Sequence, residues 1–122
     1  MIAKTKEFVV NFIPYAFVEA VHYCGTHTGQ TTDKICDTGL TLIPSKKLTT
    51  PRIKEGYAHL ECTLKEKISL GDHTFFVGEV VAVSADENAF QDTLLRTNLI
   101  HPVYYIGENS YTTLDRVKRT NF

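Results

Sequence analysis

The sequence predicts a mainly β fold of antiparallel strands, and three observations carry that prediction. Residues Ala58, Leu60, Cys62, Leu64 and Ile68 alternate with His59, Glu61, Thr63, Lys65 and Lys67. Successive side chains of a strand point to opposite faces, so this run describes one dry and one wet face. The stretch from His73 to Val83 is instead apolar on both faces, as in a strand covered on both sides or running through a barrel wall. Between the two, Leu70-Gly71-Asp72 supplies the backbone freedom of a hairpin turn. Together they predict one long hairpin from Ala58 to Ser84.

The other elements follow in chain order. Met1-Ile2-Ala3-Lys4 passes into Glu7–Phe12, a β-rich run with too little before it to pair with, so its partner is a later strand or another subunit. Pro14 suits the first turn of a helix, Phe17, Val18, Val21 and Cys24 share one stripe, and Gly25 follows as a stop, which predicts a helix from Pro14 to Cys24. The polar stretch 26–32 is a loop, and Thr32 caps a short helix from Asp33 to Thr38 that Gly39 ends. Leu40–Pro44 is a short edge-like strand closed by proline, Ser45-Lys46-Lys47 a polar turn, and Thr50–Ile53 the lead into the hairpin. From Ala85 to Asn98 the spacing of Phe90, Leu94 and Leu95 is compatible with a short helix or an ordered excursion. Pro102 restarts the sheet with Val103–Ile106, Gly107-Glu108-Asn109 turns, and Ser110–Leu114 is the last strand.

A chain of 122 residues is long enough for one core and one domain, and no repeat or composition break divides it. With 13 basic and 14 acidic residues there is no field to draw nucleic acid or an anionic membrane, and no long uncharged apolar run spans a bilayer. Nothing at the start resembles a signal peptide. Three cysteines, Cys24, Cys36 and Cys62, cannot all pair within one chain, so a reducing cytoplasm is the expected compartment.

Three residues of the hairpin do not fit a purely structural strand. Simple alternation puts Glu79 on one face with Phe75, Val77, Val81 and Val83, where its charge requires a rim position or a cation. Gly78 leaves a gap where a strand packs a side chain, the mark of a bulge or of a close approach. His73 opens the second strand and reads either as a solvated turn residue or as a functional one.

The run Gly71-Asp72-His73-Thr74-Phe75-Phe76-Val77-Gly78-Glu79-Val80 resembles the signature of the flavin reductase-like and flavoredoxin family, whose fold is the FMN-binding split β-barrel. Three more segments resemble that family in the same order: Glu7–Asn11, the stretch from Asp33-Lys34-Ile35 to Gly39-Leu40, and Pro102–Gly107 leading to Tyr111. The resemblance implies a partial split barrel, antiparallel and Greek-key-like with one or two short helices, that lacks the N-terminal strands of the family domain and their flavin contacts. It implies a flavin set made of Lys34, His73 and the aromatics Tyr104, Tyr105 and Tyr111. It further implies FMN as cofactor, bound weakly for want of the N-terminal contacts, NAD(P)H or a protein as electron donor, and an obligate homodimer. The alternative is a shortened paralogue that keeps the scaffold, holds little or no flavin, and serves as a structural or partner-binding subunit.

Two further constellations have chemistry of their own. His22, Cys24 and His27 carry zinc-ligand types if Cys36 or Cys62 adds a fourth, although their spacing matches no standard zinc motif, and they read equally as residues at a helix end. Cys36 sits in the short helix, where a dipole could favour the thiolate, but no general base lies near it in sequence.

Overall fold

The computed structural model describes residues 2–27 and 34–120, apart from the side chains of Lys34 and Cys36. The Thr32 cap and most of the 26–32 loop lie outside the described residues. The predicted hairpin is the longest feature: β4 (Ala58–Leu70) and β5 (His73–Ala85) pair antiparallel around Gly71, whose φ of +60° favours glycine. The strand β1 (Glu7–Phe12) finds its partner within the same chain, pairing with the first half of β4 from Glu7 opposite Thr63 to Phe12 opposite Ala58. The sheet order is β1-β4-β5.

Residues directly opposite one another share a face, and this decides where each side chain points. Phe8, Val10 and Phe12 lie opposite Cys62, Leu60 and Ala58, and beyond them come Val80, Val83 and Ala85, with Leu64 opposite Gly78 continuing the same face. Two register shifts break the simple alternation. Val81 is the extra residue where Glu61 faces Ala82 and Cys62 faces Val80, and Lys65 is extra where Leu64 faces Gly78 and Glu66 faces Val77. Val80 and Val83 therefore share the apolar face although they stand three apart. Glu79, opposite Thr63, is on the other side from Val83 and not beside it.

The expected wet face is the buried one. Glu61 has no exposed surface and His59 only 5%. The cause is the segment from Pro44 to Lys54, which lies over this face and turns its own backbone donors towards it. Glu61 accepts hydrogen bonds from the backbone N–H groups of Lys46, Lys47 and Leu48 at 2.9, 2.8 and 3.1 Å. Glu7 accepts from the hydroxyls of Thr49 and Thr50 and from the Thr50 N–H at 2.9 Å. Asn11 Oδ1 accepts from the Ile53 N–H at 3.0 Å, and His59 Nε2 donates to the Ile53 carbonyl at 2.7 Å. Arg52 donates to Ser84 Oγ at 2.7 Å. Burial pushes the Glu61 carboxyl up, but the three backbone donors and the Arg52 guanidinium outweigh it and hold the group below the usual carboxylate range.

On the apolar face Cys62 is buried, while Val80 is 48% and Val83 61% exposed. Among the described residues the buried apolar side chains are Leu40, Cys62, Ala89 and Pro102. The sheet thus covers its polar side and leaves much of its apolar side open.

The smaller elements depart from expectation in instructive ways. Ile2–Thr5, which leads into β1, forms a helical turn, α1, closed by Lys6 N–H on the Ile2 carbonyl at 2.8 Å. Pro14 is extended and bridges to Pro102, so the helix starts later: a 3-10 turn at Tyr15–Phe17 leads into α2 (Val18–Thr26). Gly25 sits inside the last turn rather than after it. α3 (Lys34–Thr38) does end at Gly39, which has φ +73°. The edge strand is only β2 (Leu42–Ile43), paired with β3 (Arg52–Ile53). Between Ala85 and Asn98 the chain makes an ordered excursion, a 3-10 turn at Glu87–Ala89 and a small hairpin of β6 (Phe90–Gln91) and β7 (Leu94–Leu95). A last hairpin pairs β8 (Tyr104–Gly107) with β9 (Ser110–Thr112), which stops two residues short of Leu114. No described helix is long and apolar enough to cross a membrane.

Candidate functional site

A cavity of about 510 Å³ opens where the last hairpin meets the end of β1 and the start of β4. Two main-chain contacts dock the hairpin there: the Pro14–Pro102 bridge and the Tyr15 N–H on the His101 carbonyl at 2.6 Å. Tyr105 and Tyr111 face each other across β8 and β9, with ring centroids 5.2 Å apart. With Tyr104 they line one side of the cavity, and Asn11, Phe12 and Tyr57 are among the residues on the other. Phe12 and Tyr57 are themselves in ring contact at 6.1 Å. Burial, and next the neighbouring Tyr104, raise the Tyr57 phenol above its ordinary value, so this hydroxyl stays neutral. His22 on α2 meets the Tyr111 hydroxyl at Nδ1, 3.0 Å away, with the two rings edge-on. An aromatic, mostly apolar chamber with an amide and a few hydroxyls suits a flat conjugated ring.

The expected site residues divide accordingly. Tyr104, Tyr105 and Tyr111 come together in this cavity. His73 does not join them: it sits at the hairpin tip opposite Leu70, 84% exposed and bonded to its neighbour Asp72 at 2.6 Å. The far end of the same strand reaches the cavity region, where Asp86 N–H meets the Tyr57 carbonyl at 2.8 Å. At 3.3 Å per residue, the strand between these ends is about 40 Å long. The side chain of Lys34 lies outside the described residues, as does that of Cys36. Glu79 has found the required cation, an ion pair with Lys65 at 2.7 Å, and is exposed. The pairing with Lys65 lowers the Glu79 carboxyl.

Sequence reasoning missed Asn11, Phe12 and Tyr57 at this cavity, and offered His22 only as a zinc ligand and not as a partner of Tyr111. They come from three separate segments, so no local spacing joins them. Of the zinc constellation, His22 is held by Tyr111 and His27 stacks on Tyr23 at 3.8 Å, while Cys62 is buried in the sheet. Burial also raises the Cys62 thiol, away from the thiolate a metal needs. The described residues contain no grouping of three or more metal-ligand types.

Comparison with known proteins bears on this geometry. A protein of Pyrococcus abyssi described as uncharacterized is 40% identical over 91 residues, which cover 75% of this chain and 52% of that one. The chain spans about half the length of the curated relatives it matches, among them one from Archaeoglobus fulgidus. Flavoredoxin of Desulfovibrio vulgaris (Miyazaki F) superposes with a TM-score of 0.86 at 27% identity, over 99% of this chain and 66% of that one. An FMN-binding protein from Thermus thermophilus with bound p-hydroxybenzaldehyde gives 0.79 at 27% identity, over 98% and 64%. The mainly β architecture is therefore that of the flavin reductase-like split barrel. The sequence profile of the flavin reductase like domain matches residues 1–113, nearly the whole chain, and the protein belongs to that family.

Proposed function

We propose that this chain is a flavin-binding redox protein and that the tyrosine-lined cavity seats the isoalloxazine ring of FMN. The single observation that carries the reading is the convergence of Tyr104, Tyr105 and Tyr111 on one chamber of about 510 Å³ in a chain of this family. The flavin, when bound, supplies hydride or electron transfer, with NAD(P)H or a protein as donor. The chain's own part is to bind, orient and exclude water. Tyr105 and Tyr111 offer ring faces for stacking, Asn11 offers a carboxamide to the polar edge of the ring, and Tyr57 offers a neutral hydroxyl.

The fit is to the ring and not to the phosphate. Among the described residues no lysine or arginine lines the cavity. The phosphate of FMN then gains little from this chain alone, which supports weak binding. A role for His73 at the flavin requires the hairpin tip of a second copy, in keeping with a homodimer. The same two observations favour the second reading, a scaffold subunit that holds flavin weakly or not at all.

A titration of the purified chain with FMN, followed by the visible spectrum and flavin fluorescence, tests this. The expected dissociation constant is micromolar or weaker, about −8 kcal/mol at most. Replacing Tyr105 by alanine should weaken it about tenfold, the effect of losing one stacking contact. Failure of FMN to bind at millimolar concentration would establish the scaffold reading instead. Nanomolar binding by a monomer would show that the phosphate is held by groups outside the cavity.

A further inference from the structure

The segment from Pro44 to Lys54 carries four basic side chains, Lys46, Lys47, Arg52 and Lys54, and no acidic one. The carboxylates beneath it, Glu7 and Glu61, are taken up by backbone N–H groups and hydroxyls. Among the described residues none of the four bases is in an ion pair. Where the segment ends, Arg52 and Lys54 line a hollow of about 210 Å³ together with His59 and Ser84. His59 and Ser84 stand opposite one another on β4 and β5, and among the described residues none lines both this hollow and the aromatic cavity.

The hollow presents donors and holds the strongest of them still. Arg52 is half-buried and pinned twice, Nε donating to the Pro44 carbonyl at 3.1 Å and Nη1 to Ser84 Oγ at 2.7 Å. A guanidinium has five N–H groups in a rigid fork, so those left on Nη1 and Nη2 are fixed in direction and have no partner among the described residues. The Lys54 ammonium is exposed and has no partner among them either. Ser84 Oγ lies 3.4 Å from Nδ1 of the buried His59, a long contact that leaves the hydroxyl hydrogen free to turn towards a ligand. One carboxylate borders the hollow, that of Asp86. It accepts from the Asn88 N–H at 3.0 Å within its own turn and pairs with neither base. Glu61 feels the Arg52 charge, but it has no exposed surface and its oxygens are already occupied.

We infer that this hollow is an oxyanion site for a phosphate group, either free or as the monoester end of a small metabolite. Two cations and a hydroxyl approach it from different elements, which suits a tetrahedral dianion better than a planar monoanion. The Arg52 fork grips one edge of the phosphate, Ser84 donates its hydroxyl hydrogen, and Lys54 closes over the outside as a point charge. The site stands on this geometry and does not rest on the flavin reading.

Inorganic phosphate, phenyl phosphate and acetate are the probes, each titrated at fixed pH and ionic strength into the full ¹⁵N-labelled chain in a chloride background. Phosphate should shift the signals of Lys54, Gly56, Ser84 and Ala85 and the Arg52 Nε resonance saturably, and bind at least about fivefold tighter than acetate, the effect of one more charge-assisted contact. Phenyl phosphate binding as tightly as phosphate assigns the site to an ester, and weaker binding assigns it to the free ion. Arg52→Gln should abolish the shifts, but it also unfastens the segment from Ser84. Lys54→Gln, at an exposed side chain, is therefore the second variant and should weaken phosphate at least about threefold with an unchanged melting temperature. FMN is titrated separately and read at Tyr57, Leu95 and Val103, and Lys54→Gln should leave its affinity within about twofold. Absence of FMN binding would count against the flavin reading alone. Shifts that do not saturate, equal binding of acetate, unchanged phosphate affinity in Lys54→Gln, or a loss of FMN affinity parallel to that of phosphate would overturn the proposal.

Discussion

Gly78 shows how much one missing side chain decides. A methyl group there would lie 2.5 Å from Cζ of Phe8 and 3.0 Å from Cβ of Cys62, inside the contact distance of any carbon pair. The Phe8 ring reaches from β1 across Cys62 on β4 to rest over Gly78 on β5, so one aromatic ring ties three strands together. Gly78→Ala should destabilise by about 1–3 kcal/mol, the usual cost of overpacking. Urea unfolding measures it, and an unchanged midpoint would show that the ring turns aside freely. The sequence offered a bulge or a close approach at Gly78, and both occur, since the Lys65 bulge lies directly beside its pair with Leu64.

At the scale of elements, the loop from Pro44 to Lys54 is fastened to the sheet by Glu7 and Glu61. Both carboxyls lie below their ordinary range, Glu7 chiefly through the Thr49 and Thr50 hydroxyls and Glu61 through backbone donors that outweigh its burial. A carboxyl whose folded pKa is depressed contributes stability that is fully present above its unfolded value, about 4.3, and is lost as pH falls through the folded value. The melting temperature should therefore be level above about pH 5.5 and fall as the pH drops below about 4.3. Glu61→Gln should flatten that decline and lower stability at neutral pH by about 1–3 kcal/mol, because an amide oxygen replaces a charged acceptor. A decline of the same steepness in the variant would assign it to other groups. The hairpin, β1 and the short α3 were legible because alternation, the Gly-Asp turn and a stop glycine are local signals. The buried identity of the wet face was not, because the loop that covers it binds with main-chain N–H groups that leave no trace in residue type. Of the two bulges only the one beside Gly78 had a signal in the sequence, and each one reverses the face assignment beyond it.

For the whole molecule the decisive quantity is surface. A compact monomer of 13.8 kDa exposes about 6,600 Å². This chain exposes 9,165 Å². Part of the difference is the exposed stretch 115–120, and part is the apolar face with Val10, Phe12, Val80 and Val83. Stable homodimers bury about 1,000 Å² or more from each partner, which this surface can supply. Sedimentation should show a dimer at micromolar concentration, and a well-folded monomer there would count against it. The tyrosine site was half legible: the aromatic motif gave Tyr104, Tyr105 and Tyr111, while the residues opposite them are brought in by docking of the last hairpin, which no spacing encodes. The open apolar face gives the proposed dimer a further consequence: where a second copy supplies the cover of a sheet, its melting point depends on concentration, and diluting the solution should loosen this sheet as surely as warming does.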